Sequence, residues 1–546
     1  MTSCAQSLVQ LLEGYGVSTV FGIPGVHTVE LYRGLHGSRL RHVSPRHEQG
    51  AGFMADGYAR VSGKPGVCFI ITGPGMTNIL TAMGQAYADS VPMLVISTTN
   101  RREHLRMGHG HLHELPDQRA MVSGVCAFSH TLQSPAELPE LLARAFAIFT
   151  CARPRPVHIE IPLDVLEMPA AALDCLPRPL PSAPAPAPAA VLAAAKLLAG
   201  AQRPLLLAGG GARRAGPALQ QLAERLQAPV ALTCNARGLL PCGHPLLLDG
   251  VQSAAHGRAL FDEADVILAV GTELGETDYD FYGLGPLQFK APLIRLDIDP
   301  LQVMGAQRAA VALLGDAQEG VQALLAQLGA QPEKQPEKQP ARGNWARDSV
   351  QRVNSYEREQ WTAKQRGMQA LLELLRDSLD EPLIVGDSTQ PVYQGALGYQ
   401  APAANSWFNA ATGFGTLGYG LPAAIGAKLA APQRPVIALV GDGGLQFSSA
   451  ELISAREAGV GIILLLWNNQ CYGEIRDYMV AREIPPLGVD ILAPDFAAMA
   501  RSFHVAHHAP QSPDALRALL AELADGTQPV LVELDAASLL PQLDWR

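Results

Sequence analysis

Two apolar runs in the last third of the chain lead into residues whose types could bind a metal and a phosphate. The first run, residues 437–440, precedes Gly441, Asp442, Gly443 and Gly444, and the second, residues 461–467, precedes Asn468 and Asn469. Both runs predict buried parallel strands, whose carboxyl ends meet at one edge of a sheet. The glycines let backbone N–H groups approach an anion, and Asp442 and Asn469 carry the oxygen ligands that Mg²⁺ prefers. We therefore predict a metal and diphosphate site.

Taken singly, Gly-Asp-Gly is most often a tight turn and Asn-Asn the end of a strand, but their combination indicates function. The combination resembles the thiamine-diphosphate motif of the superfamily that includes acetolactate synthase, pyruvate decarboxylase and benzoylformate decarboxylase, and the resemblance extends over essentially the whole chain. It implies metal ligands at Asp442, Asn469 and the backbone carbonyl of Cys471, and cofactor contacts from Gly441, Asp442, Gly443, Gly444, Asn469 and Tyr472.

The composition indicates a globular protein that acts on small molecules. Hydrophobic residues make up 48% and charged residues 17% of the 546 residues, and the formal net charge is −10. This negative charge argues against a nucleic-acid surface and against an anchor for anionic membranes. The eight cysteines show no paired CxxC spacing, and the N-terminal region has no signal-peptide pattern. We therefore expect a cytoplasmic protein without a zinc site or a disulfide framework.

The order of predicted strands and helices indicates an α/β protein with three doubly wound parallel-sheet domains. The first is expected over 1–168, and a Pro- and Ala-rich stretch at 177–189 predicts an extended linker to the second, over 190–330. A linker and lead-in at 331–365 begins with a polar Gln-Pro-Glu-Lys repeat, and the third domain spans 366–546, with a helix expected over 448–457. The resemblance implies that these are the pyrimidine-binding, central and diphosphate-binding domains.

Glu48 opens a predicted helix directly after a predicted strand at 41–43. A carboxylate there is most often only a favourable charge at a helix start. The segment Arg46 to Arg60, however, resembles the one that holds the cofactor-activating glutamate of the superfamily. A carboxyl group that is hydrogen-bonded to the N1′ atom of the aminopyrimidine ring stabilises the imino tautomer, whose nitrogen removes the thiazolium C2 proton. Because the superfamily combines this residue with a metal motif from another subunit, we expect a homodimer or homotetramer with inter-subunit sites.

Two further segments match cofactor-binding positions of the superfamily. The glycine-rich stretch at 412–422 leads into a helix, and the resemblance implies that Gly415 and Leu417 contact the aminopyrimidine, with Leu417 wedged beneath the cofactor. Thr389 and Gln390 follow a predicted strand at positions that imply diphosphate contacts. In the central domain, the position where acetolactate synthases have a basic residue at their FAD site is Glu273, which would repel a phosphate, so FAD is disfavoured.

Two histidines are candidates for moving protons at the substrate. Pyruvate and benzoylformate decarboxylases place histidines in first-domain loops, but the position before Thr72 is Ile71. His27 and His113 are the alternatives, and His113 falls where acetolactate synthases have an active-site glutamine. The loop around His113 is rich in histidine, so a surface role or a metal site is also open.

Glu474 is the clearest departure from the superfamily, whose members place apolar or small residues there to face the donor. A buried, unpaired carboxylate would disfavour an apolar or anionic donor, whereas a cationic donor would pair with it. We therefore expect a 2-oxo acid with a guanidino or amino tail, 5-guanidino-2-oxopentanoate being favoured because guanidinium binds carboxylates bidentately. The alternative is that Glu474 forms a surface ion pair with Arg476 or Arg482.

The sequence thus predicts a thiamine-diphosphate- and Mg²⁺-dependent carboxy-lyase that converts a 2-oxo acid into an aldehyde and CO₂, with a histidine or Glu474 relaying the last proton. One alternative is a carboligase of the acetolactate synthase type, and another is a thiamine-dependent synthase with an arginine-like acceptor. A regulatory or scaffold paralogue is the non-enzymatic alternative. The presence of Glu48, Asp442 and Asn469 together argues against it.

Overall fold

The computed structural model of the chain describes residues 2–279, 284–305, 307–330 and 344–543. The strands within these ranges form three parallel sheets with helices on their faces, which confirms the predicted fold class. Over the same ranges, no helix combines the length and the apolar character needed to cross a membrane. The predicted Gln-Pro-Glu-Lys tether at 331–338 lies outside the described residues.

The first sheet has six strands in the order β2-β1-β3-β4-β6-β5. Its strands are β1 Thr19–Gly22, β2 Arg41–Val43, β3 Gly66–Ile70, β4 Met93–Thr99, β5 Phe128–Thr131 and β6 Val157–Pro162. Its helices are α1 Cys4–Gly14, α2 Val29–Leu35, α3 Glu48–Ser62, α4 Pro74–Ala88, α5 Gln118–Val122, α6 Leu138–Cys151 and α7 Leu163–Leu166. Every residue of β3, β4 and β6 is buried, because helices cover both faces of the sheet.

The second sheet has five strands in the order β11-β10-β9-β7-β8. Its strands are β7 Pro204–Ala208, β8 Val230–Leu232, β9 Val266–Val270, β10 Leu293–Asp297 and β11 Val311–Leu314. The helices of this unit are α8 Pro188–Gly200, α9 Gly216–Leu226, α10 Ala255–Glu263, α11 Pro300–Val303, α12 Ala317–Ala330 and α13 Trp345–Gln360. Helix α13 lies in the predicted lead-in, where we expected no helix, and it buries Ala346, Val350 and Val353 in the cores of this unit.

The third sheet has six strands in the order β13-β12-β14-β15-β17-β16. Its strands are β12 Leu383–Gly386, β13 Trp407–Asn409, β14 Val436–Gly441, β15 Ile463–Asn468, β16 Ala506–His508 and β17 Val530–Asp535. Its helices are α14 Ala363–Asp377, α15 Gln390–Gly398, α16 Gly420–Ala430, α17 Asp442–Leu445, α18 Glu451–Glu457, α19 Gly473–Ala481, α20 Phe496–Ser502, α21 Pro513–Leu523 and α22 Ala536–Leu539. The strand order matches that of the first sheet, so the two units have the same topology.

The helix that we expected over 448–457 is wrong at its start. After the single turn of α17 the chain forms further turns, and α18 begins only at Glu451. The carbonyls of Ser448 and Ser449 accept hydrogen bonds from the N–H groups three residues later rather than four. Serine favours such local turns over the helix interior, and this competing preference explains the later start.

The first and third units share one hydrophobic core, which α3 and α16 build by direct contact. A Cβ atom at Gly57 of α3 would overlap the carbonyl oxygen of Ala423, and one at Gly426 of α16 would overlap that of Met54. The two helices therefore approach closely because glycine occupies both positions. This packing brings the start of α3, and with it Glu48, beside the third unit.

Candidate active site

The turns that follow β12 and β14 lie where the strand order of the third sheet reverses. Ligands of open α/β sheets bind at such a reversal, outside the carboxyl ends of the strands. Thr389 and Gln390 lie at the start of α15, beside the turn of residues 441–444. The Thr389 hydroxyl is 3.0 Å from the position that a Cβ atom would take at Gly441. The predicted diphosphate residues are therefore brought together at one crevice.

Three oxygen donors converge beside this crevice. The terminal amide atom of Asn469, assigned as oxygen, lies 2.8 Å from the carbonyl oxygen of Cys471 and 3.1 Å from Oδ1 of Asp442. A nitrogen at that position would instead donate hydrogen bonds to both oxygens. As oxygens, the donors have the separation of about 3.0 Å expected for adjacent corners of an octahedron with metal–oxygen distances of about 2.1 Å. Oxygen atoms at this separation repel each other unless a cation lies between them.

The Asp442 carboxylate has a second feature that suits a metal ligand. Its Oδ2 atom is buried, and no hydrogen-bond partner is present among the described residues. Burial raises the pKa of Asp442 above its ordinary value. A cation at this point would pair the orphaned oxygen and favour the charged form of the carboxyl group. The residues present therefore fit a hard divalent cation.

Tyr472 closes the other side of the metal-binding turn. Its ring lies 2.5 Å from the position that a Cβ atom would take at Gly443, so a side chain there would displace the ring. The residue after Tyr472, Gly473, opens α19 and leaves room for the amide nitrogen of Asn469, which lies 2.6 Å from the corresponding Cβ position. Glycines at these two points therefore allow the aromatic ring and the amide to reach the crevice.

Asp387, which our sequence analysis did not single out as a site residue, holds the glycine-rich loop against the crevice. Its fully buried carboxylate accepts hydrogen bonds from the N–H groups of Ser388 at 2.8 Å, Gly418 at 3.3 Å and Gly420 at 3.0 Å. Burial raises the pKa of Asp387 to about 6. The anchored loop includes Leu417. An aspartate directly after a strand at the sheet reversal was the signal that could have revealed it.

Glu48 lies beside the turn that follows β3, at the corresponding reversal of the first sheet. Its Oε2 atom accepts a hydrogen bond from the amide of Asn78 at 2.9 Å, and its Oε1 atom is 3.4 Å from the Cβ position of Gly75. The side chain of Ile71 fills the space between the backbone at Gly75 and at Gly25. Glu48 is therefore beside an apolar wall that is built by the two turns.

His27 and His113 contact each other at this first-sheet crevice. Their rings stack with centroids 5.1 Å apart, and the His27 Nε2 atom lies 3.1 Å from Oδ1 of Asn100. Burial and the neighbouring His113 lower the pKa of His27. The Nδ1 atoms of both rings are buried without a hydrogen-bond partner in the described part of the chain. The alternative of a histidine metal site gains no support, since the described residues include no group of three His, Cys, Asp or Glu arranged around a metal.

Glu474 does not form the surface ion pair that we considered as an alternative. Arg476 instead pairs with Asp490 at 3.5 Å, and Arg482 lies over the ring of Tyr478. Burial and the neighbouring charge of Asp477 raise the pKa of Glu474 above its ordinary value. The first half of α19 therefore carries two neighbouring carboxylates, those of Glu474 and Asp477.

Gln390 connects these carboxylates to the metal-binding residues. Its Nε2 atom donates to Oδ2 of Asp477 at 3.0 Å, and its Oε1 atom accepts from the amide of Asn469 at 3.2 Å. Lys364 also donates to Asp477, at 2.8 Å. The acidic pair on α19 is therefore one side chain away from the predicted Mg²⁺ ligands.

The cleft at the reversal of the second sheet has a cavity volume of about 270 Å³ and is lined by residues that include Gly209, Gly210 and Gly211. Glu273 lies there, but it forms an ion pair with Arg153 at 2.5 Å. The carboxylate is therefore not an unopposed negative charge, which corrects our reason for disfavouring FAD. The absence of FAD stays a prediction.

Known families and proteins are similar to most of the chain. Three thiamine pyrophosphate enzyme families match it: the N-terminal TPP binding domain at residues 2–121, the central domain at 191–324 and the C-terminal TPP binding domain at 387–534. The chain is 49% identical to the probable 2-ketoarginine decarboxylase AruI of Pseudomonas aeruginosa over 94% of its own length and 90% of the relative's.

Acetolactate synthases are similar at lower identity. The chain is 32% identical to the probable acetolactate synthase large subunit of Methanocaldococcus jannaschii, over 99% of this chain and 93% of that protein. It is also 32% identical to the acetolactate synthase isozyme 1 large subunit of Escherichia coli, over 86% of this chain and 82% of that protein. The chain therefore belongs to the thiamine pyrophosphate enzymes, whose cofactor is thiamine diphosphate.

Proposed function

We propose that this protein catalyses the Mg²⁺-dependent, non-oxidative decarboxylation of a cationic 2-oxo acid to an aldehyde and CO₂, with 5-guanidino-2-oxopentanoate (2-ketoarginine) as the donor. The observation that carries this proposal is the acidic pair of Glu474 and Asp477 beside the metal-binding residues. The relative that shares 49% identity, a probable 2-ketoarginine decarboxylase, supports the same donor.

The charges around α19 favour a cation at the end of the donor. Lys364 forms an ion pair with Asp477 and also acts on the charge of Glu474, so one cation faces two carboxylates and a net negative charge is left. A guanidinium group would bind a carboxylate through two parallel hydrogen bonds. An apolar tail would leave Glu474 charged and partly desolvated, which costs several kcal/mol at a buried site. The pocket would therefore select against pyruvate.

Other residues would bind the cofactor and its metal. Asp442, Asn469 and the carbonyl of Cys471 would hold Mg²⁺ against the diphosphate. Further contacts would come from the diphosphate-binding residues Thr389, Gln390, Gly441, Gly443 and Gly444, from Tyr472, and from the pyrimidine-binding residues Gly415 and Leu417. When bound, the thiazolium ring accepts the electron pair that is released as CO₂ leaves.

Two proton transfers would then use acid–base groups of this chain. Glu48 would hold a proton at the aminopyrimidine ring of the cofactor. His27 or His113 would deliver a proton to the product carbon, since both rings have a buried nitrogen without a described partner. Glu474 is the alternative donor of this proton.

We also propose that the active form is a cytoplasmic homodimer or homotetramer in which Glu48 serves the cofactor of a neighbouring subunit.

The donor specificity can be tested with Glu474→Gln, which removes the charge and keeps the shape. We expect kcat/KM for 2-ketoarginine to fall by about 10- to 100-fold, the equivalent of 1.4 to 2.7 kcal/mol for a hydrogen bond to a charged group, while that for pyruvate stays low or rises. Glu483→Gln is the matched control, because Glu483 is an exposed acid shortly after α19. A wild-type enzyme that prefers pyruvate would exclude the cationic donor.

A carboligase of the acetolactate synthase type is the second candidate, because relatives with that name are 32% identical over most of the chain. Such an enzyme would join the donor to a second 2-oxo acid instead of releasing an aldehyde. Product analysis with mixed 2-oxo acids separates the two reactions.

A further inference from the structure

Glu451 is a buried carboxylate of the third unit that contacts the residues immediately before Glu48. It is the first residue of α18, and 1% of its surface is exposed. Its Oε1 atom accepts hydrogen bonds from the N–H groups of Arg46 at 3.0 Å and His47 at 3.1 Å, and its Oε2 atom accepts from Arg46 at 3.1 Å. A Cβ atom at Gly50 would overlap the carboxylate. Glycine therefore allows this approach.

The bond from His47 satisfies a donor at the N-cap of α3, and the bonds from Arg46 fix the residue before the cap. The first N–H groups at the start of a helix have no partner within the helix, and the positive end of the helix dipole favours a carboxylate there. The side chain of His47 adds one cap by accepting from the N–H of Gln49 at 3.1 Å. Glu451 thus fixes the two residues before Glu48 from outside the helix and from a different sheet unit.

Helix α18 also contacts the segment from β2 to the start of α3 through two arginine side chains. The Arg46 guanidinium pairs with Glu457, and the Arg41 guanidinium donates to the carbonyl oxygen of Ala458 at 2.5 Å. Both contacts lie at the end of α18, whereas Glu451 lies at its beginning, so the helix spans the turn between β2 and α3. Movement of α18 would therefore move Glu48.

We propose that Glu451 is a positioning residue, which fixes the start of α3 and thereby sets where the Glu48 carboxylate meets the cofactor. This inference rests on the proposed role of Glu48. Glu451 itself faces backbone N–H groups rather than the crevice at the first sheet, so it acts through Glu48.

The first test is hydrogen–deuterium exchange of the backbone amides of residues 44–53 in cofactor-free protein. Glu451→Ala removes all acceptors and should speed this exchange, and Glu451→Gln keeps one oxygen acceptor and should have a smaller effect. Glu522→Gln, an exposed acid on α21, is the matched control and should leave the exchange unchanged. Unchanged amide exchange in Glu451→Ala would overturn the proposal, and this result would not depend on which reaction the enzyme catalyses.

The second test measures how fast the thiazolium C2 proton of bound cofactor exchanges with solvent deuterium, together with the cofactor dissociation constant. We expect about 100-fold slower C2 exchange in Glu451→Ala, with little change in the dissociation constant, because a misplacement near 1 Å has this effect on a catalytic group. Partial recovery in Glu451→Gln is expected. If the alanine variant fails to fold, amide exchange and C2-proton exchange can both be measured in the glutamine variant.

Two outcomes separate failure of this inference from failure of the proposed function. Normal C2 exchange in Glu451→Ala, alongside slow exchange in Glu48→Gln, would make Glu451 a purely structural residue and overturn the inference. Normal C2-proton exchange in Glu48→Gln would show that Glu48 does not activate the cofactor. It would therefore overturn both the proposed function of Glu48 and the inference on Glu451.

Discussion

Glu48 and Asp387 are both carboxylates near the carboxyl ends of strands, yet their partners differ. Glu48 accepts a hydrogen bond from the amide of Asn78 and is only partly buried. Asp387 is fully buried and accepts three backbone N–H groups. The setting of Glu48 suits exchange of a proton with a ligand, whereas that of Asp387 suits a fixed anchor.

Glu48→Gln should lower turnover by at least about 100-fold, because an amide cannot exchange the proton that the aminopyrimidine requires. The fold should be unchanged, since glutamine can still accept from Asn78. Steady-state turnover at saturating cofactor measures the effect, and circular dichroism checks the fold. Glu140→Gln, an exposed acid on α6, serves as the control. Near-wild-type turnover in Glu48→Gln would refute the assignment.

Asp387→Asn should change how stability depends on pH. The folded-state pKa of Asp387 is raised to about 6 by burial, so the native protein binds this proton more tightly than the unfolded chain. The resulting stabilisation is present at acidic pH and is lost as pH rises through 6. From pH 4 to pH 7, the free energy of unfolding of wild type should therefore fall by about 2.4 kcal/mol relative to that of the variant.

Urea unfolding of both proteins at the two pH values measures this difference. Loss of hydrogen bonds should also destabilise the variant by about 1 to 3 kcal/mol at every pH. A difference between the two proteins that does not vary with pH would contradict the raised pKa.

Sequence patterns could locate much of the site because its central residues follow buried strands. Asp442 and Asn469 come directly after β14 and β15, which are apolar and covered on both faces. Asp387 also follows a buried strand, β12, whereas Glu451 could not be identified in this way, because its partners are backbone N–H groups of the segment before α3. Those contacts depend on how separate elements pack, and no local periodicity reports them.

Helices α3 and α16 join the first and third units through glycine contacts. Each helix carries one glycine whose missing side chain leaves room for a carbonyl oxygen of the other. Such close packing cannot adapt to an added carbon without a shift of backbone. The relative placement of the two units is therefore sensitive to single methyl groups at this contact.

Gly426→Ala should destabilise the protein by about 3 kcal/mol, because its Cβ atom would overlap the Met54 carbonyl and force the helices apart. Alanine in a helix is ordinarily more favourable than glycine, so the sign of the change in stability tests the described packing. Gly200→Ala at the end of α8 is the control, since no atom lies within 4 Å of its Cβ position. Calorimetric unfolding of both variants measures the effect. Equal or higher stability of Gly426→Ala would contradict the described contact.

The buried strands β14 and β15 of the third sheet could be predicted, whereas two edge strands of the same sheet and one helix could not. Strands β13 and β16 are three residues long and lie at the edges of the third sheet, so they lack the long apolar runs of buried strands. Helix α13 follows a polar stretch and is itself largely polar, with few residues that reach the core. Composition alone therefore assigned its region to a linker.

The chain as a whole combines two units of equal strand order with a different one between them. Glu48 belongs to the first unit and Asp442 to the third, and each lies near a reversal of strand order where ligands bind. A single cofactor molecule could contact both Glu48 and Asp442 only if two such crevices face each other. The proposed inter-subunit sites would meet this requirement.

The most direct measurement is product analysis with purified protein, 2-ketoarginine, thiamine diphosphate and Mg²⁺. We expect CO₂ and the aldehyde that is one carbon shorter, in equal amounts. Because the oxygen donors around Asp442 need a cation, chelation of the metal should abolish turnover and Mg²⁺ should restore it. A coupled hydroxy-keto acid as the main product, or turnover that survives removal of the metal, would contradict the proposed reaction.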